Sequence, residues 1–179
     1  MRFSYFYDTN LDEEQQKLFD LMEEEFKVSL EANLIKGFKF PCKAGKAVLI
    51  ENLDETPYTR LSTIQMIGNG ISGHVGLFMS DEVMLGVINA TFKESYDTVP
   101  DELADCISEV LNVVFGHARE QINKKSDLDI LLDVVPTNRF IIKDEFQSYM
   151  VFPRIMIPIE SDAGRFSLQI SLEDGSSSF

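Results

Sequence analysis

The chain has 179 residues, of which 44% are hydrophobic, and its formal net charge is −14. That length suits one domain with a sizeable core, and the apolar share excludes a disordered chain. The acidity argues against a nucleic-acid partner, because the densest basic stretch is only Lys36, Lys39, Lys43 and Lys46.

No apolar run approaches the roughly 18 residues that would span a membrane, so no membrane partner is expected. The opening MRFSYFYDTN lacks the basic and apolar regions of a secretory signal. Two cysteines, Cys42 and Cys106, are too few for a disulfide scaffold and fit a reducing compartment. A cytoplasmic protein is expected.

In chain order, residues 10–36 read as the first helix. Asn10 with Glu13 makes a capping-box pattern, and Phe19, Met22, Phe26 and Leu30 recur at helical spacing before a natural stop at Gly37. AVLIENL (47–53) reads as a strand and Asp54–Pro57 as a loop. RLSTIQMIGNGISGHVGLFM is a hairpin, with Asn69-Gly70 supplying the positive φ angles of a tight turn. In its second arm Ile71, Gly73, Val75, Leu77 and Met79 face one way. Ser80 caps a short helix from Asp81 to about Phe92. Thr98 with Asp101 resembles a second capping box, opening a long helix that runs to about Lys124. Four strands follow at Leu128–Val135, Arg139–Lys143, Tyr149–Ile159 and Arg165–Leu172. Pro153 and Pro158 make the third of these an edge strand or a broken one. The pattern predicts an α+β fold: a largely antiparallel sheet carrying two long helices and a shorter one. No linker divides residues 1–179, so a single domain is expected.

The long second helix has two different faces. At about 100° per residue, Leu103, Ile107, Val110, Leu111, Val114 and Ala118 share the core sector. Asp105, Glu109, Asn112, Gly116 and Arg119 or Glu120 fall in a stripe at the opposite pole. Asparagine and glycine there each cost about 0.5–1 kcal/mol relative to alanine. A plain solvated face tolerates them as accidents. A docking surface gives them a purpose: Gly116 clears a flat spot, while Glu109 and Asn112 project side by side as a carboxylate and a carboxamide. A carboxamide is no base near neutral pH, but it can hold a water in line with an electrophile, and a carboxylate can grip a lysine. His74 and His117 are isolated, and neither a Ser–His nor a Cys–His pairing is present, nor a metal-ligand spacing or a phosphate loop. Any catalysis would borrow part of its active site from a partner.

The stretch SEVLNVVFG (108–116) resembles the E-x-x-N…G motif of the CheC/CheX/FliY chemotaxis phosphatases. The glycine-bearing hairpin and helix upstream and the strands ending in FSLQISLE downstream match as well. The resemblance is best over residues 58–173, with residues 1–57 an N-terminal helix and extension and 174–179 a tail. It implies a CheC-like fold. It also implies a phosphatase acting on the aspartyl phosphate of a CheY-like response regulator. Glu109 would pair with a regulator lysine and Asn112 would orient the attacking water, while Asp105, Ser108, Gly116 and Arg119 would touch the partner. No cofactor of its own is implied, with Mg²⁺ supplied by the regulator. A non-catalytic module that docks on the regulator and sequesters it is the alternative.

The first helix reads SLEANLIKG (29–37). Laid over 108–116, Ser29, Asn33 and Gly37 coincide with Ser108, Asn112 and Gly116, but Leu30 stands where Glu109 stands. Asn33 and Gly37 are then either a degenerate second site or a chance match beside a helix stop. One complete motif resembles the CheX-like branch, which implies a homodimer. A CheD-type protein is a further partner that the resemblance leaves open.

Overall fold

A computed structural model describes residues 13–50, 58–69, 71–130, 137–139 and 154–174. The first helix, α1 (Glu13–Ala32), buries Leu18, Phe19, Met22, Phe26 and Leu30, the stripe its spacing predicts. The expected start at Asn10 and its capping box lie outside the described residues. The helix end differs from the expectation. Asn33–Gly37 form a π turn, in which Phe38 N–H donates to the Asn33 carbonyl at 3.0 Å. Gly37 does not take the left-handed conformation of a glycine stop; Lys39 does, with φ of 56°. The extra residue of a π turn depends on packing, which is why the spacing alone does not show it.

Two short strands follow, β1 (Cys42–Ala44) and β2 (Val48–Ile50), then the hairpin of β3 (Arg60–Gly68) and β4 (Ile71–Met79). The hairpin pairs Gly68 with Ile71 and Arg60 with Met79. The Asn69 side chain secures its tip by donating to the Asp127 carbonyl at 3.0 Å. Helix α2 (Asp81–Phe92) starts as predicted, with the Ser80 hydroxyl accepting from Val83 N–H at 3.4 Å. The next helix is corrected. Asp101–Leu103 form a single 3₁₀ turn, and α3 runs Cys106–Lys125, so Thr98 and Asp101 do not cap it. Pro100 is extended at φ −64°, ψ 142°, and starts the tighter turn instead.

Among the described residues, strands β5 (Thr137–Arg139), β6 (Arg154–Ser161) and β7 (Gly164–Asp174) complete a seven-stranded antiparallel sheet, ordered β1-β6-β7-β4-β3-β5 with β2 also on β6. The expected strand 128–135 is not formed at 128–130, and its remainder lies outside the described residues, as do 140–143 and 149–153. The edge position expected for the proline strand is wrong: β6 lies between β7 on one side and β1 and β2 on the other. Pro158 falls between the two short strands, because β1 pairs with 159–161 and β2 with 154–156. Its carbonyl still accepts from Gly45 N–H at 2.8 Å. Its missing N–H points the same way, into a gap where no strand needs a donor.

The sheet has two unlike faces. Ile64 and Met66 of β3, Val75 and Leu77 of β4, Ile155 and Ile157 of β6, and Leu168 and Ile170 of β7 meet the three helices in one hydrophobic cluster. The opposite face is polar yet buried. Arg154 is 0% exposed and donates to the Gln169 side-chain oxygen at 3.0 Å; Gln169 donates to Ser167 at 3.1 Å. The Arg154 guanidinium lies 6.0 Å from the Phe78 ring centroid, and burial lowers its pKa to about 10.

Candidate functional site

Helix α3 is held on both sides of the motif. On the sheet side, the Ser108 and Ser62 hydroxyls lie 2.9 Å apart, both buried. On the α1 side, the Ser29 hydroxyl donates to the Val114 carbonyl at 2.7 Å, and the Phe26 and Phe115 rings stand 6.2 Å apart. At the far end Lys125 bridges to buried Glu25, which raises the lysine pKa. The helix is therefore a rigid platform, and a rigid platform is what a positioning site needs.

The face that this platform turns outward is only partly exposed. Ile107, Val110, Leu111, Val114 and Ala118 are buried as expected, and Phe115 and Ile122 join them. Glu109 and Asp105 are exposed, whereas Asn112, Gly116 and Arg119 are half-buried. The stripe thus lies at the shoulder of the helix, and Val113, 38% exposed, marks the most open side. Neither Glu109 nor Asn112 makes a side-chain hydrogen bond or ion pair among the described residues. A Cβ built on Gly116 would meet nothing within 4 Å, so no neighbour within the chain requires a glycine there.

Ser108 corrects the expected partner set. It is 3% exposed and occupied by Ser62, because its position on the helix faces the sheet rather than the stripe. Cys106, one turn before Glu109, is half-buried, and burial followed by the Glu109 charge pushes its thiol up to about 11.

The candidate second site on α1 is differently placed. Asn33 is 8% exposed, and its amide donates to the Ser29 carbonyl at 2.7 Å and hydroxyl at 3.1 Å. Leu30, at the position that matches Glu109, is fully buried, so that position supplies no carboxylate. Asn33 lines a groove of about 420 Å³ between α1 and α3 with Val28, His117 and Gln121, while Gly37 is exposed. The arrangement on α1 serves packing, and its carboxamide is committed. The Asn33 clamp was not legible in the sequence; the Ser29–Asn33 spacing of four residues was its one signal.

Among the described residues no group of three His, Cys, Asp or Glu side chains gathers as a metal site. No described helix is long and apolar enough to cross a membrane. The site therefore offers one carboxylate and one carboxamide, both unengaged, on a fixed helix.

An antiparallel sheet with two long helices packed on one face is an α+β fold of the CheC-like kind. Residues 61–145 match the family model described as "Chemotaxis phosphatase CheX". Solved structures share the fold. Chemotaxis protein CheX from Vibrio vulnificus is 22% identical, covering 85% of this chain and 99% of its own, with a TM-score of 0.65. A CheC-like superfamily protein from Shewanella sp. PV-4 is also 22% identical, covering 86% and 97%, with a TM-score of 0.65. CheX in a CheX–CheY–BeF3–Mg²⁺ complex from Borrelia burgdorferi is 18% identical, covering 87% and 98%, with a TM-score of 0.63. No curated protein matches the chain.

Proposed function

We propose that the protein docks through α3 on a CheY-like response regulator and accelerates hydrolysis of its aspartyl phosphate. The observation that carries this reading is the unengaged pair Glu109 and Asn112, one turn apart on a fixed helix within the stretch that matches the chemotaxis phosphatase model. A structural neighbour bound to CheY with BeF3, a stand-in for the phosphoryl group, and Mg²⁺ supports the choice of partner.

In this reading Glu109 pairs with a lysine of the regulator and Asn112 holds a water in line with the phosphorus. The water oxygen bonds to phosphorus, the bond to the aspartate oxygen breaks, and inorganic phosphate leaves. The barrier falls by positioning, with no covalent intermediate on this chain. Mg²⁺ belongs to the regulator's own site. Asp105 and Gly116 rim the contact. A homodimer, a cytoplasmic location and one domain over residues 1–179 complete the proposal, with a CheD-type protein as a further candidate partner.

The test is phosphate release from a phosphorylated CheY-like regulator with Mg²⁺, with wild-type protein and with Asn112→Ala. Wild type should accelerate release, and the variant should lose about 10²-fold of that acceleration or more while still binding. Binding without acceleration by wild type would replace the phosphatase with a sequestering module. Neither binding nor acceleration with any regulator of the organism would overturn both.

A further inference from the structure

Arg119 stands on the same stripe as Asn112. Seven residues separate them, so they lie two turns and about 10 Å apart along α3, offset by only about 20°. Arg119 is half-buried, and its Nε is buried without a hydrogen-bond partner. It has no ion pair among the described residues. The neighbouring carboxylate, Glu120, is held by Lys124 at 2.6 Å. Other arginines differ: Arg60 is bridged to Asp81, Arg154 to Gln169 and Arg165 to Glu160.

A buried N–H with no acceptor bears its full desolvation cost. No polar contact holds the resting pose of this guanidinium, so little opposes its turning toward a better acceptor. The acceptor that fits a planar fork of donors is an oxyanion, either carboxylate or phosphoryl. In a chain of net charge −14, Arg119 feels the Glu120 charge but forms no ion pair with it, and so complements a negative group on whatever docks there.

We propose that Arg119 is a partner-binding residue that takes an oxyanion of the docked regulator, alongside Glu109 and Asn112. This rests on the proposed function. It makes the site bipolar: Glu109 receives a cation and Arg119 an anion, which fixes the direction in which the regulator lies along α3.

The experiment compares wild type, Arg119→Leu and Arg119→Lys for binding to one CheY-like regulator, with and without BeF3 and Mg²⁺, alongside thermal unfolding. Leucine keeps the apolar stem and removes the fork; lysine keeps the charge without the fork. Arg119→Leu should bind at least about tenfold more weakly, with a flatter salt dependence, and should melt at or above the wild-type temperature, since an unsatisfied donor has gone. Arg119→Lys should recover part of the binding. Loss confined to the BeF3 form would identify a phosphoryl oxygen; equal loss in both forms would identify a regulator carboxylate. Unchanged binding by Arg119→Leu overturns the inference alone, as does a lower melting temperature with binding intact, which would make Arg119 a packing residue. Failure of wild type to bind any regulator overturns the proposed function, and this inference with it.

Discussion

Gly116→Ala should stabilise the protein while weakening its docking. Gly116 lies in the middle of α3, where glycine costs about 0.8–1 kcal/mol relative to alanine. An added Cβ meets nothing within 4 Å, so no steric cost offsets that gain. For a chain of this size about 1 kcal/mol raises the melting temperature by about 2–4 °C. Gly86 of α2 is the internal control. A Cβ there would stand 2.7 Å from the Ala163 Cβ and 3.0 Å from the Phe40 ring, so Gly86→Ala should lower the melting temperature. The assays are thermal unfolding by circular dichroism and titration of each variant with BeF3-activated regulator. Gly116→Leu, with a side chain that projects further, should abolish docking with stability again at or above wild type. A melting temperature that falls for Gly116→Ala would refute the open-space argument. A rise with docking unchanged in both variants would return Gly116 to an accident of a solvated face.

Further expectations concern packing and the thiol beside the motif. Gly73→Ala would place a Cβ 2.0 Å from the Ser171 carbonyl oxygen, between β4 and β7; the loss should reach about 3 kcal/mol or more, read as a lower denaturant midpoint. Ser29→Ala removes the buried bond to the Val114 carbonyl and should cost about 1–2 kcal/mol, in a helix that still docks. In a Cys42→Ser background, alkylation of Cys106 by iodoacetamide should be slow at pH 8 and climb toward pH 11, since its thiol is raised from 9.0 to about 11. The folded state holds this proton more tightly than the unfolded one, so the linked stability is present below about pH 9 and is lost as pH rises through 11. Glu109→Gln should move that profile to lower pH, because the Glu109 charge contributes to the shift; an unmoved profile would contradict the placement of Glu109 beside Cys106.

Elements whose signal is local were readable from the chain. The hairpin of β3 and β4 follows from the alternation of Ile71, Val75, Leu77 and Met79, all of which are buried, although Asn69 does not take the positive φ expected of it. Ser80 begins α2 because a cap acts within one turn. The core face of α3 follows from its 3.6-residue period, whereas the stripe expected at the opposite pole lies at the shoulder, with Glu109 exposed and Asn112 and Gly116 half-buried. What failed was non-local. Pro158 looked like an edge residue, yet its strand is interior because two short strands leave a gap opposite it. Nothing about Arg154 in the sequence announced a fully buried arginine; the strand register sets it opposite Ser171, within reach of Gln169 and Phe78.

The same division runs through the candidate site. Spacing along one helix places Glu109 and Asn112 together, since their separation is a property of the helix itself. It could not say that Ser108 turns into the sheet, that Asn33 is spent on Ser29, or that Arg119 is left without an acceptor. Each of those depends on which neighbour another element brings alongside, at distances of 2.7–3.1 Å for the first two. Periodicity sets the angle at which a side chain leaves its helix, and only tertiary packing decides what is waiting there.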